Sequence, residues 1–284
     1  MRYWRWIVWI ASTVFACNGF GQQRPLLTDD AEILQTGRIR LEFGAEFFQG
    51  QKYSLSGLEG NLTRLGVTSI QAGVGEYAEF KISGVAQDVL AVESRSDPVV
   101  PPTFTGDTTR DFGNLVLATK LKFLGEGRRL PAMAFKFSVE LPNANQENGL
   151  GTDETQFYTS LLFKKHFGRV QLLADLGIAI LGSPVEAGKQ TDPFTYGIGA
   201  VVSVHRRLNL VAELNGRQGS ERVGNENRSQ VRAGMQFRTG SIRWDLAGMA
   251  GLKEYDADSG VIVGVTYEFQ AFNRKTDPVK IIKQ

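Results

Sequence analysis

Asp29 and Asp30 are adjacent carboxylates, and carboxylate oxygens are the ligands that hard cations such as Ca2+ require. No further acid follows them at the spacing of such a site, so the pair fits a turn or an N-terminal peg folded inward better than a metal centre. His166 and His205 are the only histidines. Both fall at turn ends of apparent strands, where a polar interfacial residue is expected rather than a ligand or base. A barrel lipase would need a Ser activated by a His near the external rim, and these two lie at the other end. The chain contains no glycine-rich phosphate loop, no Ser-centred elbow and no HExxH pattern, so no catalytic residue, metal site or cofactor is expected. A larger group is left: Lys120, Lys136, Glu140, Asp175, Glu213, Arg232, Arg243 and Asp245 all take the polar parity of strands whose other parity is apolar.

The elements that position these charges are clearest over residues 156–181. Phe157, Thr159, Leu161 and Phe163 alternate with Tyr158, Ser160, Leu162 and Lys164; then Val170, Leu172, Ala174, Leu176, Ile178 and Ile180 alternate with Gln171, Asp175 and Gly177. Period two is the strand signature, because successive side chains point to opposite faces. Only Phe167, Gly168 and Arg169 separate the two runs, which makes a hairpin. Each strand is long enough for a tilted crossing of a hydrocarbon layer about 30 Å thick.

The same alternation recurs along the chain and predicts about twelve strands, an even number as in single-chain outer-membrane barrels. The first runs from Arg38 to Phe47; a weaker one over 61–74 slips in parity near Thr68 and Ser69, which predicts a bulge. Long polar connections are expected over 49–60, 94–111, 142–155, 182–193 and 217–227. Short ones fall at Gly75, Gly168, Arg206 and Gly240. Short periplasmic turns facing longer external loops give this pattern, with both termini in the periplasm. A soluble barrel with an apolar interior would show the same period with its faces exchanged. Aromatics favour the membrane reading: Phe47, Phe157, Phe194 and Tyr196 near the loop ends, and Phe123, Phe163, Phe237, Tyr267 and Phe269 near the turn ends, form two interfacial girdles.

The first 21 residues carry Arg2 and Arg5, an apolar run over 6–16 and small residues up to Gly21, as a signal peptide does. Cys17, the only cysteine, lies inside it; Phe15 argues against a lipoprotein anchor there. Without Arg2 and Arg5 the remaining 30 basic residues equal the 30 acidic ones, so a nucleic-acid partner is not expected. The expected organisation is a signal peptide over 1–21, a periplasmic lead-in over 22–37, an all-β transmembrane antiparallel up-and-down barrel over 38–269, and a periplasmic tail over 270–284.

Two stretches resemble known families. GVTYEF, ending at Phe269, resembles the C-terminal signal read by the outer-membrane assembly machinery, although 15 residues follow it. The lead-in RPLLTDDAEILQTGRIRLEFG, with Arg24, Pro25, Thr28, Asp29, Asp30 and Gly37, is similar to the start of the phenol-degradation MetA-pathway transporter family. The likeness continues in the lysine-bearing strand over 114–123 and in VELP at 139–142. It implies an outer-membrane barrel, seated in the lipid bilayer, that passes aromatic or other small organic solutes. The inward charges would then either line a charged, selective lumen or pair with one another and fill it. Twelve strands allow both, since eight give a filled interior and sixteen a water channel. A structural or adhesive barrel acting through its external loops is the alternative.

Overall fold

The structure is a computed structural model that describes residues 24–272; the expected signal peptide, Cys17 and most of the expected tail lie outside the described residues. Fourteen strands form one antiparallel sheet: β1 (Arg38–Tyr53), β2 (Leu58–Gly73), β3 (Ala78–Arg95), β4 (Thr108–Asp111), β5 (Leu115–Leu124), β6 (Ala132–Leu141), β7 (Gln156–Phe167), β8 (Val170–Gly182), β9 (Gln190–Thr191), β10 (Phe194–His205), β11 (Leu208–Gln218), β12 (Arg228–Thr239), β13 (Ile242–Gly251) and β14 (Ser259–Gln270). Twelve of them close a barrel, because β14 pairs with β1 and β8 with β10. The other two are short: β4 lies on the loop-end half of β3, and β9 caps β8 at Leu181 and Gly182.

Closure leaves no sheet edge unpaired, which a lipid-exposed backbone requires. The apolar parity faces out. Phe43, Ile82, Phe135, Ile178, Ile198, Leu210, Trp244 and Val261 are all exposed on the outer wall, whereas their polar neighbours turn inward. The chain is therefore an outer-membrane-type barrel, and the soluble barrel with exchanged faces is excluded. Both girdles take the outward parity, and within each a stacked pair forms, Phe194 with Tyr196 at 6.4 Å and Tyr267 with Phe269 at 5.5 Å between ring centroids.

Three sequence expectations need correction. The connection expected over 49–60 is strand on both sides of a four-residue turn at 54–57. Gly50, with φ of 63°, bulges β1 between Phe48 and Gln51, so alternation breaks while pairing continues. The bulge in β2 lies at Gly66, φ 64°, just ahead of the slip read near Thr68. The lead-in is not periplasmic. Residues 24–35 run inside the barrel, where Leu26, Thr28, Asp29, Asp30, Ala31 and Leu34 are all buried.

Candidate functional site: the lumen and the segment that crosses it

Gly37, at the turn end beside Gly73 of β2, starts the segment's path inward. Read backwards from there, the segment sweeps around the inner wall. The Leu34 N–H donates to Glu79 of β3 at 2.7 Å, and Glu32 pairs with Lys122 of β5. Asp30 meets Lys164 of β7 at 3.2 Å and Gln171 of β8 at 3.3 Å. Asp29 meets Lys136 of β6 at 2.8 Å, and the N–H groups of Leu27 and Thr28 both donate to Glu213 of β11 at 2.8 Å. The Pro25 carbonyl accepts from Arg232 of β12, and the Arg24 carbonyl from Gln236 of β12 and Arg243 of β13. Arg24 ends the circuit between Asp245 of β13 and Glu46 of β1, at 3.5 and 3.8 Å.

An irregular segment has no backbone ladder of its own, so buried N–H and C=O groups must find partners elsewhere or cost about 1–3 kcal/mol each. The wall supplies them. Lys120 shows the pattern: its ammonium donates to the Asp30 carbonyl at 2.9 Å and lies 3.3 Å from Glu79 and 3.8 Å from Asp29. Glycines make the room. A Cβ at Gly197 would come within 2.6 Å of Thr28 Oγ1, and a Cβ at Gly44 or Gly264 would run into the Arg24 guanidinium at 2.5 or 2.7 Å.

All eight charges expected to line the lumen do face it, yet seven of them touch the segment rather than open water. Lys120 and Lys136 hold Asp29, Asp175 accepts the Asp29 N–H, Glu213 holds the backbone at 27–28, and Arg232, Arg243 and Asp245 hold 24–25. Only Glu140 stands apart, accepting from Asn114 Nδ2 at 2.7 Å and the Tyr158 hydroxyl at 3.3 Å. Asp29 and Asp30 take the role of an inward peg. Their oxygens are engaged by lysines, and no cluster of metal-ligating side chains occurs among the described residues. The grip differs along the segment. The shortest charged contacts at Asp29 and Asp30 are 2.8 and 2.9 Å, whereas the Arg24 guanidinium has ion pairs of 3.5 and 3.8 Å and a bond to the Val263 carbonyl of 3.1 Å, and shorter charged bonds are the stronger.

Between the segment and the loop end lies a chamber of about 630 Å3. Residues 24–27 form its floor, Phe48, Leu62, Val85, Met249 and Ile262 its apolar wall, and Glu46, Arg64, Asn114, Glu140, Arg228 and Gln230 its polar one. Loops fold over it. Ser56 Oγ donates to the Gly149 carbonyl at 2.7 Å, Thr103 N–H to Glu147 at 2.9 Å and Asn225 Nδ2 to Gly182 at 2.7 Å. Arg24 and Thr28 stood out in the sequence only as part of the lead-in's family likeness, with no lumenal role, and the glycines that make room for them were not singled out. The only signal for them was glycine at inward parity on three strands far apart in the chain. His166 and His205 lie exposed at the turn end, remote from the chamber, as their sequence positions suggest.

No family model matches the chain, and no curated protein sequence is similar to it. Solved structures do share its shape. The COG4313 outer membrane channel from Pseudomonas putida F1 superposes with a TM-score of 0.58 at 14% identity, covering 84% of this chain and 98% of that one. The KdgM porin in complex with disordered oligogalacturonate gives 0.49 at 8%, over 82% and 99%. The translocator domain of the autotransporter NalP from Neisseria meningitidis gives 0.49 at 12%, over 83% and 90%.

Proposed function

We propose that this barrel is a narrow outer-membrane channel for small organic solutes, and that the lumenal segment sets how far it opens. The observation that carries the reading is the chamber: about 630 Å3 of the interior is unfilled, a size suited to one small molecule, and its floor is the irregular segment 24–27 rather than the strands of the wall. The short turns mark the periplasmic end, so a solute enters among the loops, rests in the chamber and leaves past the segment. Its apolar wall suits a hydrocarbon or aromatic body. Aromatic compounds are also the class implied by the resemblance of the lead-in to the phenol-degradation transporters.

Passage past the segment starts at Arg24, whose ion pairs to Asp245 and Glu46 are 3.5 and 3.8 Å long. Displacing 24–27 from the chamber floor leaves Asp29 and Asp30 anchored on their lysines. The test is conductance in planar bilayers together with uptake of phenol by proteoliposomes, for the parent and for Arg24→Gln, which loosens the floor and leaves the Asp29 and Asp30 anchor in place. The parent should conduct weakly and the variant more. A barrel that stays silent in both forms and admits phenol no faster than empty liposomes overturns the proposal.

A further inference from the structure

Most lumenal cations have a carboxylate beside them. Arg40, Arg64, Lys120, Lys164, Arg232 and Arg243 each make an ion pair. Arg217 and Arg228 are different. They stand directly opposite one another on β11 and β12 with the inward parity, and among the described residues neither has a carboxylate within ion-pair distance. Side chains directly opposite in a sheet have Cβ atoms about 5 Å apart, and like charges in that relation repel. Glu226 and Asp256 lie near enough to act on the Arg228 charge, but beyond ion-pair distance, and both are also engaged elsewhere. Glu226 accepts from Ser54 Oγ and the Gly224 N–H, and Asp256 from the N–H groups of Ser229 and Lys253 at 2.9 and 3.0 Å.

Each guanidinium is nevertheless fixed in place. Arg217 Nε donates to the Glu226 carbonyl at 2.8 Å, and Arg228 Nη1 donates to the Tyr255 carbonyl at 2.8 Å. Arg217 also hydrogen-bonds the Tyr158 hydroxyl, and each guanidinium still keeps donors uncommitted out of its five N–H groups. Arg228 lines the chamber with Gln230, Asn215 and Gly216, and so do Phe48, Leu62, Val85 and Met249 of the apolar wall; Arg217, next to Gly216 on β11, stands just behind that lining. We infer that Arg217 and Arg228 form a carboxylate-binding subsite at the loop end of the chamber, and that its ligand is a small organic acid whose apolar body lies against that wall. Two anchored guanidiniums offer the planar, bidentate donors that a carboxylate matches, and an anion between them removes their repulsion. A chamber with one apolar side and a few convergent donors selects an amphiphilic molecule over an inorganic ion.

The inference deepens the channel reading, which it uses for the identity of the chamber, and the experiment separates the two. Benzoate binding to the purified full barrel in detergent is measured by equilibrium dialysis, with benzyl alcohol as the neutral counterpart. The proteins compared are the parent, Arg228→Gln, Arg217→Gln and Arg228→Lys. Each is first shown to be folded by its heat-dependent mobility on a gel. The parent should bind benzoate in preference to benzyl alcohol. Either glutamine variant should weaken benzoate about tenfold or more, the loss of a charged hydrogen-bond donor, while leaving benzyl alcohol unchanged. Arg228→Lys should retain part of the affinity, since it keeps the charge and loses the fork. Equal binding of benzoate and benzyl alcohol by the parent, or unchanged benzoate binding in both glutamine variants, overturns the subsite. Glycerol uptake by proteoliposomes reads the channel independently: uptake without benzoate binding removes the subsite alone, and benzoate binding without uptake removes the channel alone.

Discussion

Lys164 and Asp30 lie 134 residues apart and meet at 3.2 Å, with the side chains 2% and 0% exposed. A pair so buried is costly to bring out of water and costlier to break, because the survivor is left charged without a partner. Asp30→Ala should therefore destabilise the folded barrel by about 3 to 5 kcal/mol if Lys164 stays in place. Asp30→Ala with Lys164→Leu should recover much of that. Urea unfolding in bilayers checks it, and a double variant no more stable than the single one refutes the pairing as a structural anchor.

That relationship also shows where the sequence was legible and where it was not. The strands could be read because each one carries its own period-two record, as Leu172, Leu176 and Ile178 do against Gln171 and Asp175. The two outward girdles, with Phe157 and Phe194 in one and Phe237 in the other, followed from the same parity. Asp30 carries no such record. Its partners come from strands 90 to 141 residues further on, and nothing local distinguishes an inward peg from a periplasmic tail. The continuation of β1 past Phe48 was hidden for another reason. A bulge at Gly50 keeps the hydrogen bonds while spoiling the alternation, so Gln51 turns inward out of turn. The chamber escaped entirely, because an empty volume depends on how the segment and loops pack and has no pattern along the chain.

The outer wall gives a prediction in energy. Ile178 is half exposed on the lipid face of β8, and Arg there should cost about 2 to 4 kcal/mol in a bilayer. Its inward neighbour Gly177 is no suitable control, since even a Cβ there would lie 2.3 Å from the Thr159 carbonyl oxygen and 2.7 Å from Ser160 Cβ. Gln230, which lines the chamber, is the better one. Gln230→Arg should fold nearly as well as the parent, and equal stability for Ile178→Arg and the parent sinks the lipid-facing assignment.

At the periplasmic end a prediction depends on pH. Glu126, in the turn before β6, accepts the His166 N–H at 2.8 Å, lies 2.6 Å from His166 Nδ1 and pairs with Lys165 at 3.4 Å. Partial burial would raise its carboxyl, but the His166 backbone and imidazole and the Lys165 ammonium outweigh that and hold it below its ordinary value of 4.5. A depressed carboxylate contributes stability above its unfolded pKa and loses it as pH falls through the folded one. Hydrogen exchange over 125–131 should thus be protected at neutral pH and rise only in acid below the ordinary carboxylate value of 4.5, once the carboxylate protonates. Glu126→Gln should abolish that acid step and leave exchange in β7 unchanged; a step that persists in the variant places its origin elsewhere.

The close fit of Thr28 against β10 tests whether the segment can leave the lumen while the barrel stands. A Cβ at Gly197 would lie 2.6 Å from Thr28 Oγ1 and 3.2 Å from its methyl group, both on the segment and neither on the wall. In Gly197→Val the added atoms therefore compete with the segment for space, an overpacking cost of about 1 to 3 kcal/mol. Moving Thr28 relieves it, at the loss of the two N–H bonds to Glu213, each 2.8 Å long. The barrel itself keeps its ladder, since strand pairing does not run through the segment. Conductance of Gly197→Val should rise above the parent while heat-dependent gel mobility stays that of a folded barrel, and protease sealed inside liposomes with the turn end should begin to cut within 24–34. An unfolded variant, or one that conducts like the parent with the segment still protected, means that the segment is a fixed part of the wall and cannot set the opening.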